Sequence, residues 1–156
     1  MPTPTYTALA TVTLASTAAS VTFSSIPATY RDLILVIQHS GAGDSFTLRM
    51  NGDTGSNYSY VYMLGNGSTT SSIAELKGEV GASYTGNIGN TVIQIMDYSS
   101  TDKHKTALSR SNTAANNTRA VAYRWASTSA VNSAGIVLNS GSFAIGSTFN
   151  LFGVIA

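Results

Sequence analysis

The chain has 156 residues, no cysteine, a formal net charge of +1 and only 10% charged residues. That length fits a single domain, and the composition excludes a coiled coil, a collagen, a thiolate zinc site and a disulfide scaffold. The near-zero charge gives no basis for binding nucleic acid, and no apolar run approaches the roughly 20 residues that cross a bilayer, so neither nucleic acid nor a membrane is expected as a partner. The first residues lack the basic region of a secretory signal, so export by that route is not expected.

In chain order, alternation of period two dominates. In the stretch 5–14, Tyr6, Ala8, Ala10, Val12 and Leu14 are apolar and mostly threonines lie between them, with Leu9 the exception. Val21 and Phe23 alternate with Ser20, Thr22 and Ser24 before Ile26-Pro27 closes a second strand. Leu33 to Ile37 is apolar on both faces and predicts a central strand buried on both sides. Phe46, Leu48 and Met50 alternate with polar neighbours, and 92–96 is another nearly continuous β run. A weaker strand is expected at 106–111. In 120–125, Val121, Tyr123 and Trp125 share one face, which places Trp125 in the core. Short strands at 136–138 and 148–155 complete the pattern.

About eight to nine strands, separated by Gly, Ser and Asn clusters, predict an all-β fold, an antiparallel β-sandwich of jelly-roll type, in one domain spanning 1–156. Residues 52–91 read as a long loop excursion, with at most one short helical turn near 56–64. Long loops in compact domains are functional or interfacial. This one carries Tyr58, Tyr60, Tyr62 and Tyr84, candidate interface residues because tyrosine combines contact area with a polar tip.

Charge is unevenly placed. The first charged side chain is Arg31 and the last is Arg124. Bare strand edges template further pairing and are usually guarded by charge. Either these uncharged ends lie inside the sheets, or another subunit covers them. The one signed feature is the basic cluster Lys103, Lys105, Arg110, Arg119 and Arg124, which on adjacent strands would form a positive stripe facing an acidic partner.

Nothing in the sequence assembles a reactive centre. His39 ends the most apolar strand and His104 lies between two lysines; neither belongs to a nucleophilic motif. Asp97 with Asp102, and Glu75 with Glu79, are close pairs, but nothing selects either for glycoside cleavage. The stretch Asn51 to Asn57 has oxygen donors at alternate positions, yet it lacks a downstream bidentate glutamate and fits a tight Asn-Gly turn better than a calcium loop. No enzyme activity, catalytic residue, metal site or cofactor is expected.

Three segments carry a resemblance. Leu9-Ala10-Thr11-Val12-Thr13-Leu14 with Ala19 to Pro27 and Tyr30-Arg31-Asp32-Leu33, then Leu48 to Ser59 and Leu64 to Ser68, and finally Phe143 to Val154, resemble a family of small β-sandwich structural proteins of tailed-phage virions. The middle, residues 73–130, matches only in β character. The resemblance implies a non-enzymatic capsid cement or decoration protein on the virion surface, made in the host cytoplasm. It would be a homo-oligomer, with a trimer favoured, and its partner would be the major capsid protein. The alternative is a tail or fibre component whose tyrosines bind a host glycan.

Overall fold

The computed structural model describes residues 4–43, 45–75, 79–82, 86–115 and 117–155. All regular structure among them is β. The strands are β1 (Tyr6–Thr13), β2 (Ser20–Phe23), β3 (Asp32–His39), β4 (Gly41–Ala42), β5 (Ser45–Met50), β6 (Tyr58–Gly65) and β7 (Thr70–Glu75). They continue with β8 (Glu79–Ala82), β9 (Gly89–Met96), β10 (Lys105–Thr113), β11 (Thr118–Trp125), β12 (Ala134–Leu138), β13 (Ser142–Phe143) and β14 (Thr148–Val154).

The expected sandwich is present. One sheet holds the order β1-β14-β3-β9 and the other β2-β12-β5-β8. Each mixes strands from both ends of the chain, which is the jelly-roll arrangement. Two hairpins are added to it. β10-β11 follows β9, β6-β7 follows β5, and all four strands extend the first sheet to eight, β1-β14-β3-β9-β10-β11-β6-β7. Every pairing is antiparallel. The pair β13-β4 closes one end.

The hairpins correct the expectation for 52–91. That span holds β6, β7, β8 and the start of β9, not a loop excursion, and 58–64 is strand, not a helical turn. The signal was present: Tyr58, Tyr60 and Tyr62 alternate with Ser59, Val61 and Met63, a strand period. Asn66 turns the hairpin, its Oδ1 accepting bonds from the Ser68 and Thr69 amides and from the Thr69 hydroxyl. Tyr84 lies outside the described residues.

The core is one cluster between the sheets. It takes Leu33, Leu35 and Ile37 from β3, Ile93 and Ile95 from β9, Phe46, Leu48 and Met50 from β5, and Ile136 from β12. Trp125 joins it as expected. In β1 a register shift between Ala8 and Ala10 breaks the simple alternation. A bulge moves the side-chain sequence to the other face, and it is Leu9, Val12 and Leu14 that pack on the core. β3 is central but is covered on one side only: Val36 is 39% exposed.

His39 sits inside, 1% exposed, edge-on to Phe46 and Phe143, with neither ring nitrogen hydrogen-bonded. Gly89 makes room for it, since a Cβ there would lie 2.9 Å from the imidazole. Burial lowers its pKa from 6.5 to about 4. The unfolded chain takes up this proton below 6.5, while the folded chain resists until about 4. Stability is therefore full above pH 6.5 and falls by about 3 kcal/mol as pH drops to 4. His39→Leu removes this component. Thermal melts from pH 7 to 4.5 should show a clearly smaller loss of Tm for the variant than for the parent; parallel losses contradict the assignment.

Candidate functional site

The conspicuous polar motif of the sequence is a structural turn. Asn51 and Gly52 both have positive φ, 54° and 68°, and the Asp53 amide donates to the Met50 carbonyl at 3.0 Å, so the chain reverses within two residues after β5. Asn51 then holds the distant 130–133 segment. Its Nδ2 donates to the Ala130 carbonyl at 2.8 Å, and its Oδ1 accepts from the Asn132 and Ser133 amides. Asp53 is equally occupied. Its Oδ1 accepts from the Gly55 amide at 2.7 Å, and its Oδ2 from Asn57 Nδ2 at 2.9 Å and Trp125 Nε1 at 2.7 Å.

Those donors, Trp125 foremost, hold the Asp53 carboxyl below its ordinary range. It is an anion with no proton to give at neutral pH. Its surroundings are N–H groups, which suit an anion and repel a cation. The Asn51–Asn57 stretch is a turn, as its sequence suggested. Among the described residues no three His, Asp or Glu side chains gather as metal ligands.

A second network links the added hairpins to the smaller sheet. Glu79 on β8 accepts from Arg119 Nη2 at 3.0 Å, Ser45 Oγ at 2.9 Å and Asn139 Nδ2 at 3.3 Å. The Tyr60 hydroxyl lies between Glu75, at 3.3 Å, and Glu79, at 3.5 Å, so these two acids do meet in space. The Arg119 guanidinium lies 3.9 Å from the Tyr62 ring centre, and Tyr62 stacks on Tyr60. A buried pair of this kind adds little net stability, but removing one partner strands a charge at about 3–5 kcal/mol. The network fixes the position of β6 and β11 over β8.

The expected interface residues are thereby redistributed. Tyr58 and Tyr60 are buried, and Tyr62 packs against the core. Tyr58 stacks between Tyr123 and Trp125, and its hydroxyl donates to the Asp53 carbonyl. Burial pushes its pKa up to about 12. Tyr58 and Tyr60 are therefore internal packing and not exposed contacts, because the strand period turns them inward, while Tyr62 on the same face is partly buried. The expected basic stripe also divides. Lys105 is 1% exposed, its ammonium donating to the carbonyls of Lys103 and Thr128. Arg119 is buried in the network above. Lys103 is exposed and paired with Asp97 at 3.1 Å. Only Arg110 and Arg124 point outward from the strands, β10 and β11, that hold them.

What the sequence reading missed is the outer face of the eight-stranded sheet. Leu108, Met63, Val61 and Met96 are exposed there, beside Val36 on β3. Two hollows open on it, of about 430 and 630 Å³. The first is bounded by Val61, Ala74, Ala122 and Arg124, the second by Met63, Ala120 and Arg110. The available signal was that 33–37 and 92–96 are apolar on both faces while the fold covers one.

Trp125 is the only tryptophan, so its emission reports the Asp53 turn directly. Asp53→Ala leaves the buried indole N–H without an acceptor, at a cost of about 1–3 kcal/mol. The variant should melt several degrees lower with red-shifted tryptophan emission. Unchanged emission and an unchanged melt would show that the turn does not hold the indole. No family model matches this chain, and comparison with curated proteins and with solved structures returns no match.

Proposed function

We propose that the chain is a non-enzymatic structural protein of a tailed-phage virion, a cement or decoration protein that binds the assembled head and holds neighbouring shell subunits together. A protein that binds only the assembled state stabilises it by mass action, which is what a shell under internal pressure requires. The resemblance of the segments 9–14, 19–27, 30–33, 48–59, 64–68 and 143–154 supports this reading. So does the use made of the polar groups: the Asn51–Asp53 turn and the Glu79 network are engaged in holding the fold.

One observation carries most weight. β1 ends the eight-stranded sheet and β2 ends the four-stranded one. Residues 14–19 join them, so both border the same side of the sandwich. From Pro4 to Tyr30 this side has no charged residue. The other uncharged segment needs no such explanation, since β12 and β14 lie inside their sheets. An unguarded side built from two edge strands is an association surface. Closed symmetry is the usual outcome, and a trimer is the form we favour.

The tail or fibre alternative, with glycan binding through Tyr58 and Tyr60, loses its exposed aromatic platform, because both rings are inside.

Light scattering on the purified protein should give three times the chain mass of 16.2 kDa. Ala8→Lys with Thr11→Lys, both at exposed positions of β1, should reduce it to one without lowering the melting temperature appreciably. A parent protein that is monomeric at all concentrations overturns the association surface.

A further inference from the structure

The outer face of the eight-stranded sheet is built as a contact surface. Its register lays apolar side chains in rows across the strands. The central row runs Phe152, Ile34, Gln94, Leu108, Ala122 and Val61. The row beside it runs Val36, Val92, Arg110, Ala120 and Met63. Leu108 is 51% exposed and Met63 63%. Contiguous apolar side chains exposed on one face mark an interaction surface. In this sheet only the inner face is covered by the chain itself.

Size and anatomy agree. Strands about 4.8 Å apart and residue rows about 7 Å apart give the two rows an area on the order of 370 Å². Around them lie Asn90, Asn112, Thr118, Ser59 and Thr106, a polar rim. An apolar centre within a polar rim is the anatomy of a standard protein interface, which buries about 800 Å² on each partner.

Charge selects the partner. Each of the two hollows has an arginine on its border, Arg124 at one and Arg110 at the other. The two rows contain no carboxylate. Glu75 lines the hollow that Arg124 borders, its carboxylate accepting from the Tyr60 hydroxyl at 3.3 Å, and Asp32 is buried and engaged by Arg31, Gln94 and the Asp97 amide. A second copy of this face offers Arg110 and Arg124 no carboxylate from β10 or β11. The alanine floors of the hollows, Ala74, Ala120 and Ala122, leave room for inserted side chains.

We infer that this face docks a protein surface whose apolar side chains enter the hollows and whose carboxylates meet Arg110 and Arg124. Resting on the virion reading above, that surface belongs to the capsid shell.

Co-sedimentation with purified heads lacking this protein tests the inference. Leu108→Lys should weaken binding about tenfold or more, and Arg110→Glu with Arg124→Glu by a similar factor. Ile145→Lys, at an exposed apolar position off this face, should bind like the parent. Melting temperature and solution mass should stay unchanged in all three. If the parent binds heads and the Leu108 and arginine variants bind equally well, the docking face is wrong and the virion reading stands. If the parent does not bind heads at all, both fall. If Leu108→Lys instead breaks the oligomer, the face belongs to a second copy and the inference is overturned. Flotation of the parent with phosphatidylserine vesicles, lost in the arginine variant, would assign a lipid surface and overturn it equally.

Discussion

An eight-stranded sheet packed on a four-stranded one has more inner face than its partner can cover, and most of this molecule follows from that mismatch. The jelly-roll strands cover each other with Ile, Leu, Val and Phe. The hairpins β10-β11 and β6-β7 extend past them. Their inner face is filled by Tyr58, Tyr60, Tyr62, Tyr123 and Trp125, stacked ring on ring. Large side chains reach where a second sheet is thin, and each buried ring contributes about 1.5–3 kcal/mol by burial, with roughly 0.5–1.5 more per stacked pair. The polar tips need partners in this dry space. Tyr58, Tyr60 and Tyr123 find them in the Asp53 carbonyl, Glu75 with Glu79, and the Leu48 carbonyl.

The same constraint explains the buried charges. Arg119 and Glu79 meet at the border of the small sheet, where β8 supports β11 and β6. Lys105 closes the end of β10 by reaching two carbonyls. Both cations were legible in the sequence as members of a positive cluster. Their direction was not, because a lone Lys or Arg in a strand is assigned to the wet face by default. The period-two pattern carried more information than that default. Lys105, Ala107 and Ser109 alternate with Thr106, Leu108 and Arg110, which puts Lys105 on the face opposite Arg110.

The jelly-roll strands other than β8 were readable, β2 and β5 from alternation and β3 and β9 from nearly continuous apolar runs. β6 was as regular, but its inward residues are tyrosines followed by Gly-Asn-Gly, and that composition resembles a loop. β7 and β8 carry almost no signal: Thr70 to Glu75 is exposed along nearly its whole length, and its pairing with β6 comes from the Asn66 turn. Strand order depends on long-range pairing that no local pattern encodes. The two-sided apolar character of 33–37 predicts a strand buried on both sides, and the exposure of Val36 contradicts that. The fold supplies one cover, and the other face is the surface we assign to a partner.

Two surfaces thus stand out for different reasons: a side made of β1 and β2 that bears no charge, and a broad face with apolar rows and two arginines. The first suits self-association and the second a different, acidic partner. A protein that joins copies of itself and grips a shell needs both. Cryo-electron microscopy of the assembled particles tests this most directly. The account predicts density for this sandwich on the head, with the eight-stranded sheet turned toward the shell and β1 beside a neighbouring copy. Density at the tail tip with none on the head would contradict it.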